Sequence, residues 1–138
     1  NLTLYVWLRD NSSNITDNYT ADSMVLIDNA SPVVTSVTLR SPSGDDAVMT
    51  GDNASVVISA TDLFGVQSYF ISDNSSDNLS AATFTNFSSP ATSISTTVQH
   101  IFNNSSLNAG DTLTLYVWVR DADNNTSSFG SDGIYYHK

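Results

Sequence analysis

At 138 residues with a formal charge of −10, the chain has the size of one ordinary domain with a short surplus. All 14 acidic residues are Asp, Lys occurs only at Lys138 and Gln only at Gln67 and Gln99, so the residues that usually cover helices are missing and an all-β fold is expected. The charge excludes nucleic acid as a partner because no basic surface can displace phosphate counterions, no apolar run approaches the ~20 residues of a membrane span, and the lack of Cys excludes disulfides and thiolate metal sites.

The first element is residues 2–10, LTLYVWLRD, with Leu2, Leu4, Val6 and Leu8 alternating along one face. It returns 111 residues later as LTLYVWVRD at 113–121. The match continues through Asn14 against Asn125 and, after one deleted residue, Thr16 against Thr126, Tyr19 against Phe129 and Asp22 against Asp132. Residues 1–28 therefore read as the last two strands of a preceding repeat, and 29–138 as a complete module. A period of this length matches one whole domain rather than a solenoid turn. Two strands alone are marginal in water. Two readings of residues 1–28 follow: a piece of a long repeat array, or donor strands that complete a neighbouring subunit's sandwich.

Within the module, Ser31-Pro32 opens a strand at 33–40. A strand at 54–60 buries Ala54, Val56, Ile58 and Ala60, and the turn Asp62-Leu63-Phe64-Gly65 leads to another at 66–72. Strands at 82–87 and 93–102 follow. Residues 113–120 put Leu113, Leu115, Val117 and Val119 inward and Thr114, Tyr116, Trp118 and Arg120 outward, and 133–137 closes the unit. Seven short strands with no helical period predict a two-sheet β-sandwich.

The segments PVVTSVTL, ISATDLFGVQSYFIS and LTLYVWVRDADNN resemble bacterial and archaeal Ig-like (Big-type) tandem repeats of large surface proteins. The likeness covers residues 32–128 and, in the leading piece, 2–18. The family's usual turn, Asp-Ala-Ala-Gly-Asn, is here Asp121-Ala122-Asp123-Asn124-Asn125, with Asn124 taking the place of Gly at a position of positive φ. The resemblance implies an Ig-like sandwich serving as a stalk, spacer or adhesive unit at a cell surface. In such a sandwich the loops after the second and sixth strands share a pole with the incoming linker, which would gather Asp62, Asp121 and Asp123 near Asp28. Clustered carboxylates with no Lys nearby suit calcium, which takes hard oxygen ligands; Asp side chains bonded to their own turns are the plainer account.

Thirteen of the 14 Asn residues begin an Asn-x-Ser/Thr triplet, where a Ser and Thr content of 38 in 138 would give about four by chance. N-glycosylation is expected at Asn11, Asn14, Asn18, Asn53, Asn74, Asn78, Asn86, Asn104 and Asn125, in exposed loops. With no Cys and Asp as the sole acid, these triplets point to an archaeal cell surface. His100 and His137 show no metal-ligand spacing, and no phosphate-binding Gly loop or paired-carboxylate motif occurs, so an enzyme is not expected. The stripe formed by Tyr5, Trp7, Tyr116 and Trp118 reads either as packing or, through Tyr116 and Trp118, as a carbohydrate platform. The expected function is a glycosylated extracellular stalk, sheath or filament repeat that associates with like units; an adhesive or carbohydrate-binding module is the alternative.

Overall fold

The computed structural model describes residues 2–102 and 108–137. Among them there is no helix, and hence none long and apolar enough to cross a membrane. The elements are β1 (Leu2–Val6), β2 (Thr20–Met24), β3 (Val33–Arg40), β4 (Val48–Met49), β5 (Asn53–Ser72), β6 (Thr85–Ile101), β7 (Thr112–Asp121) and β8 (Gly130–Tyr136). β1 and β2 form a two-stranded antiparallel sheet by themselves. The other six form a sheet ordered β3-β5-β7-β8-β4, with β6 paired to β5.

That six-stranded sheet folds over to make the β-sandwich, and β5 is where it folds. Its first half follows the expected alternation, with Ala54, Val56, Ile58 and Ala60 all 0–1% exposed, and pairs with β3. At residues 62–65 the backbone turns. The amides of Phe64 and Gly65 donate to Asp62 Oδ1 at 2.8 and 2.9 Å, and Gly65 takes φ +115°, a region glycine enters without a Cβ penalty. Beyond the turn β5 pairs with β7 instead. β6 accompanies β5 on both sides of the corner, pairing Ser93–Ile101 with the first half and Thr85–Ala91 with the second. The separate strands expected at 54–60 and 66–72, and at 82–87 and 93–102, are thus two long strands that pass around a shared corner. The Asp-x-x-Gly turn was expected to end a strand, but continued pairing by β6 keeps the ladder intact across it. β4, where no strand is expected from the sequence, pairs parallel to β8 and buries Met49 completely.

β3 closes the core against β7 and β8. Leu39 N donates to Asp132 Oδ2 at 2.8 Å, and Gly130 lies directly beneath Val34 and Val37. Between the layers sits one cluster containing Leu39, Met49, Val56, Ile58, Val66, Leu115, Val117, Val119 and Ile134, each at most 1% exposed. The inward set expected on 113–119 is borne out, with Leu113 at 5% and Leu115, Val117 and Val119 at 0%.

The β1–β2 hairpin reproduces the turn and closing bonds of β7–β8, although Arg9 Nη2 donates to Ser13 Oγ where Arg120 Nε donates to Thr126 Oγ1. Asp10 N donates to Asn14 O as Asp121 N does to Asn125 O. Asp10 accepts from Asn14 N and Nδ2 as Asp121 accepts from Asn125 N and Nδ2. Ser13 and Asn124 share a left-handed backbone at φ 73° and 69°. Thr16 N donates to Leu8 O and its hydroxyl accepts from Leu8 N, just as Ser127 does with Val119. Thr16 therefore corresponds to Ser127 rather than Thr126, and the deletion falls two or three residues later, before Tyr19 and Phe129. From Thr20 onward the strands again match, because Leu4 faces Asp22 as Leu115 faces Asp132. What differs is cover: Leu2, Leu4, Val6 and Leu8 are 66, 67, 45 and 68% exposed.

Candidate metal centre and modification sites

Three carboxylates from separate parts of the chain meet at one pole. Asp62 is placed by the β5 corner, Asp121 by the end of β7, and Asp28 by the linker between β2 and β3. One oxygen of each lies within 4.8 Å of the others, the sole such acidic, His or Cys group among the described residues. Asp28 and Asp121 are 6% and 3% exposed, and Asp62 is half-buried. At an effective dielectric of about 20, each pair at this separation repels by roughly 3 kcal/mol.

Local backbone amides fix each carboxylate in place, and a side-chain amide ties two of the three residues together. Asp121 accepts from Asn125 N at 2.8 Å through Oδ1 and from Asn125 Nδ2 at 2.7 Å through Oδ2, while Asp62 Oδ1 caps its own corner. The linker docks through Asn125 Nδ2, which also donates to Asp28 O at 3.0 Å. Asp28 Oδ1 accepts from Ala30 N at 2.9 Å, but Asp28 Oδ2 is buried with no hydrogen-bond partner. Such an orphaned charged oxygen is costly unless something else engages it. Arg120, the nearest basic residue in sequence, is turned elsewhere. Its guanidinium carbon lies 3.8 Å from the centroid of Phe84, and its Nε donates to Thr126 Oγ1.

Of the four Asp residues expected here, Asp123 does not join. It is exposed, and its Oδ2 accepts a long bond of 3.3 Å from Asp28 N, so it caps the linker backbone instead. Asp10, the counterpart of Asp121, keeps the Asn14 bonds, and these hold its carboxyl below the usual range. It has no Asp28- or Asp62-like neighbour.

Asn11, Asn14, Asn18, Asn53, Asn74, Asn78 and Asn86 are all exposed. Asn74 and Asn78 shape their own turns, their Oδ1 atoms accepting from Ser76 N and Ser80 N. Asn14 commits its Nδ2 to Asp10. Asn125 is half-buried and spends its amide hydrogens on Asp28 and Asp121, so a sugar there would displace the linker bond. The sequence signal for this role was its repetition at Asn14. Asn104 lies outside the described residues.

The aromatic stripe matches the packing reading. Trp118 is 4% exposed, covered by Phe70 and Phe129 at ring-centroid distances of 5.8 and 5.6 Å, and Tyr116 is half-buried edge-on to Phe129. Phe70 arrives from β5, which nothing local to β7 signalled. In the hairpin, Tyr5, Trp7 and Tyr19 repeat the trio without that cover, and Trp7 is 52% exposed.

Neither His joins the acidic group. His100 is half-buried edge-on to Phe102, at 5.1 Å and 87°. Burial lowers its pKa, with Asp73 opposing. The unfolded chain then takes up this proton near pH 6.5, and the folded chain only at lower pH. The stability that neutral His100 contributes is full above about 6.5 and declines as pH falls below it. Melting temperature should therefore drop between pH 7 and 5, and His100→Gln should flatten that slope in a thermal melt series.

The chain matches no family model, no curated protein and no solved structure.

Proposed function

We propose that the chain is a non-catalytic structural segment of an extracellular, glycosylated surface protein assembled from tandem Ig-like sandwiches, the β1–β2 hairpin being the closing strand pair of a like module. The observation that carries this reading is the duplicated bond set. A hairpin that repeats β7–β8 down to its positive-φ residue, while leaving four aliphatic side chains in water, is half of an interface. The occupant it suits is a β3–β5–β6 assembly like the one covering β7–β8. Asp22 Oδ1 already accepts from Ser23 N as Asp132 Oδ1 does from Gly133 N. Its other oxygen is then available for the bond that Leu39 N makes to Asp132.

The test is a fusion with a second copy of residues 29–112 placed ahead of Leu2, carrying Val34→Ala and Val37→Ala to admit Thr20. The reading expects β1–β2 amides to exchange as slowly as those of β7–β8, and Trp7 emission to shift to the blue. Hairpin exchange as fast as in the unfused chain would overturn it. The exposed triplets at Asn11, Asn18, Asn53, Asn74, Asn78 and Asn86 support the glycan part, since attached sugars need solvent. Peptide mapping of material from the native source should show mass increments at Asn74 or Asn78; unmodified peptides throughout would remove that part. The carbohydrate-binding alternative loses its support with Trp118 packed under Phe70 and Phe129.

A further inference from the structure

We infer that Asp28, Asp62 and Asp121 bind one calcium ion, which clamps the linker onto the pole of the module. The inference stands apart from the tandem reading, since all three ligands lie in this chain.

Two independent observations carry it. The first is geometric: one oxygen from each carboxylate falls within 4.8 Å of the others, and ligands on opposite sides of a calcium ion, bound at 2.3–2.6 Å, stand roughly 4.6–5.2 Å apart. The second is the orphan. Asp28 is 6% exposed and its Oδ2 has no donor, although Ala30 N satisfies the other oxygen. A fold that gathers two buried acids and a half-buried one and turns its one nearby Arg onto Phe84 leaves a cation as the missing partner.

The chemistry selects the ion. Every candidate ligand is a hard carboxylate oxygen, which excludes the softer metals that choose imidazole or thiolate. The ligands come from a linker, a strand corner and a strand end, an irregular set. Calcium accepts six to eight oxygens in flexible geometry, whereas magnesium demands a near-regular octahedron at shorter distances and retains its waters. Water and nearby carbonyls would complete the shell.

The experiment uses the full chain, stripped with a chelator and titrated with calcium chloride by calorimetry and thermal melting. One calcium per chain is expected, with a midpoint of roughly 10⁻⁴–10⁻³ M, the range of extracellular modules, and a melting temperature that climbs with calcium. Asp28→Asn separates a binding site from a merely structural cluster. It removes the unpaired charge, so without calcium it should melt at or above the parent temperature, yet its calcium response should vanish. Asp62→Asn should lose the response too, and Asp123→Asn should keep it. Limited proteolysis gives a second readout: calcium should protect residues 25–31 in the parent chain and not in Asp28→Asn. No shift in melting at about 10 mM calcium, ten times the weak end of the range, would overturn the proposal. So would a full response in Asp28→Asn, while an equal response to magnesium would overturn the choice of ion.

Discussion

Gly130→Thr is expected to destabilise the sandwich by several kcal/mol, and Val34→Ala in the same chain to restore part of the loss. A Cβ built on Gly130 would stand 2.5 Å from Val34 Cγ1 and 2.9 Å from Val37 Cγ2. Both neighbours are β-branched and stiff at χ1, so neither can swing aside, and β3 would have to lift from β8. Overpacking of this kind typically costs about 1–3 kcal/mol, and threonine adds two further heavy atoms and a hydroxyl that must find a partner. The choice of threonine is deliberate, because Thr20 holds the corresponding place in β2. A urea or thermal melt of the single and double variants decides the matter. A Gly130→Thr chain as stable as the parent would show that β3 and β8 do not approach this closely. The same contact bears on strand exchange: β1–β2 cannot simply replace β7–β8 in this module, since its threonine would strike the two valines.

The second large effect is a contrast between two leucines in identical local sequence. Leu115→Ala should cost about 2–5 kcal/mol, the range for deleting a fully buried leucine and leaving a cavity. Leu4→Ala, at 67% exposed, should stay within about 0.5 kcal/mol. Denaturant melts of the two variants provide the comparison. Equal losses would mean that Leu4 is covered in solution, and a sedimentation experiment on the same samples would then have to show a second copy against β1–β2.

What the sequence conveyed was whatever depends on neighbours along the chain. The strand at 33–40 follows from the Ser31-Pro32 break before it, and the inward side of 113–119 from period-2 alternation. The Asx-type corner at Asp62 follows from Asp-x-x-Gly; the meeting of Asp28, Asp62 and Asp121 was expected only from the shared pole that the family resemblance implied, and with Asp123 included. What it concealed depends on partners distant in sequence. The continuity of β5 and β6 through their corner is enforced by pairing with each other. The burial of Trp118 needs Phe70, and the exclusion of Gly130 from any side chain needs two valines nearly a hundred positions earlier. Asn125 was obscured differently. Its triplet looks like a dozen others, and its bond to Asp28 exists only once the linker has docked.

The attachment of Asp28 to Asn125 also decides how the module would carry tension. β3 is an edge strand of its sheet, whereas β7 sits between β5 and β8. A pull arriving through residues 25–27 would, without that attachment, reach β3 first and peel it away one hydrogen bond at a time. With Asp28 O held by Asn125 Nδ2, part of the load passes into β7, whose bonds to both neighbours resist sliding together. The place where the linker is tied thus sets whether the module yields by unzipping or by shear.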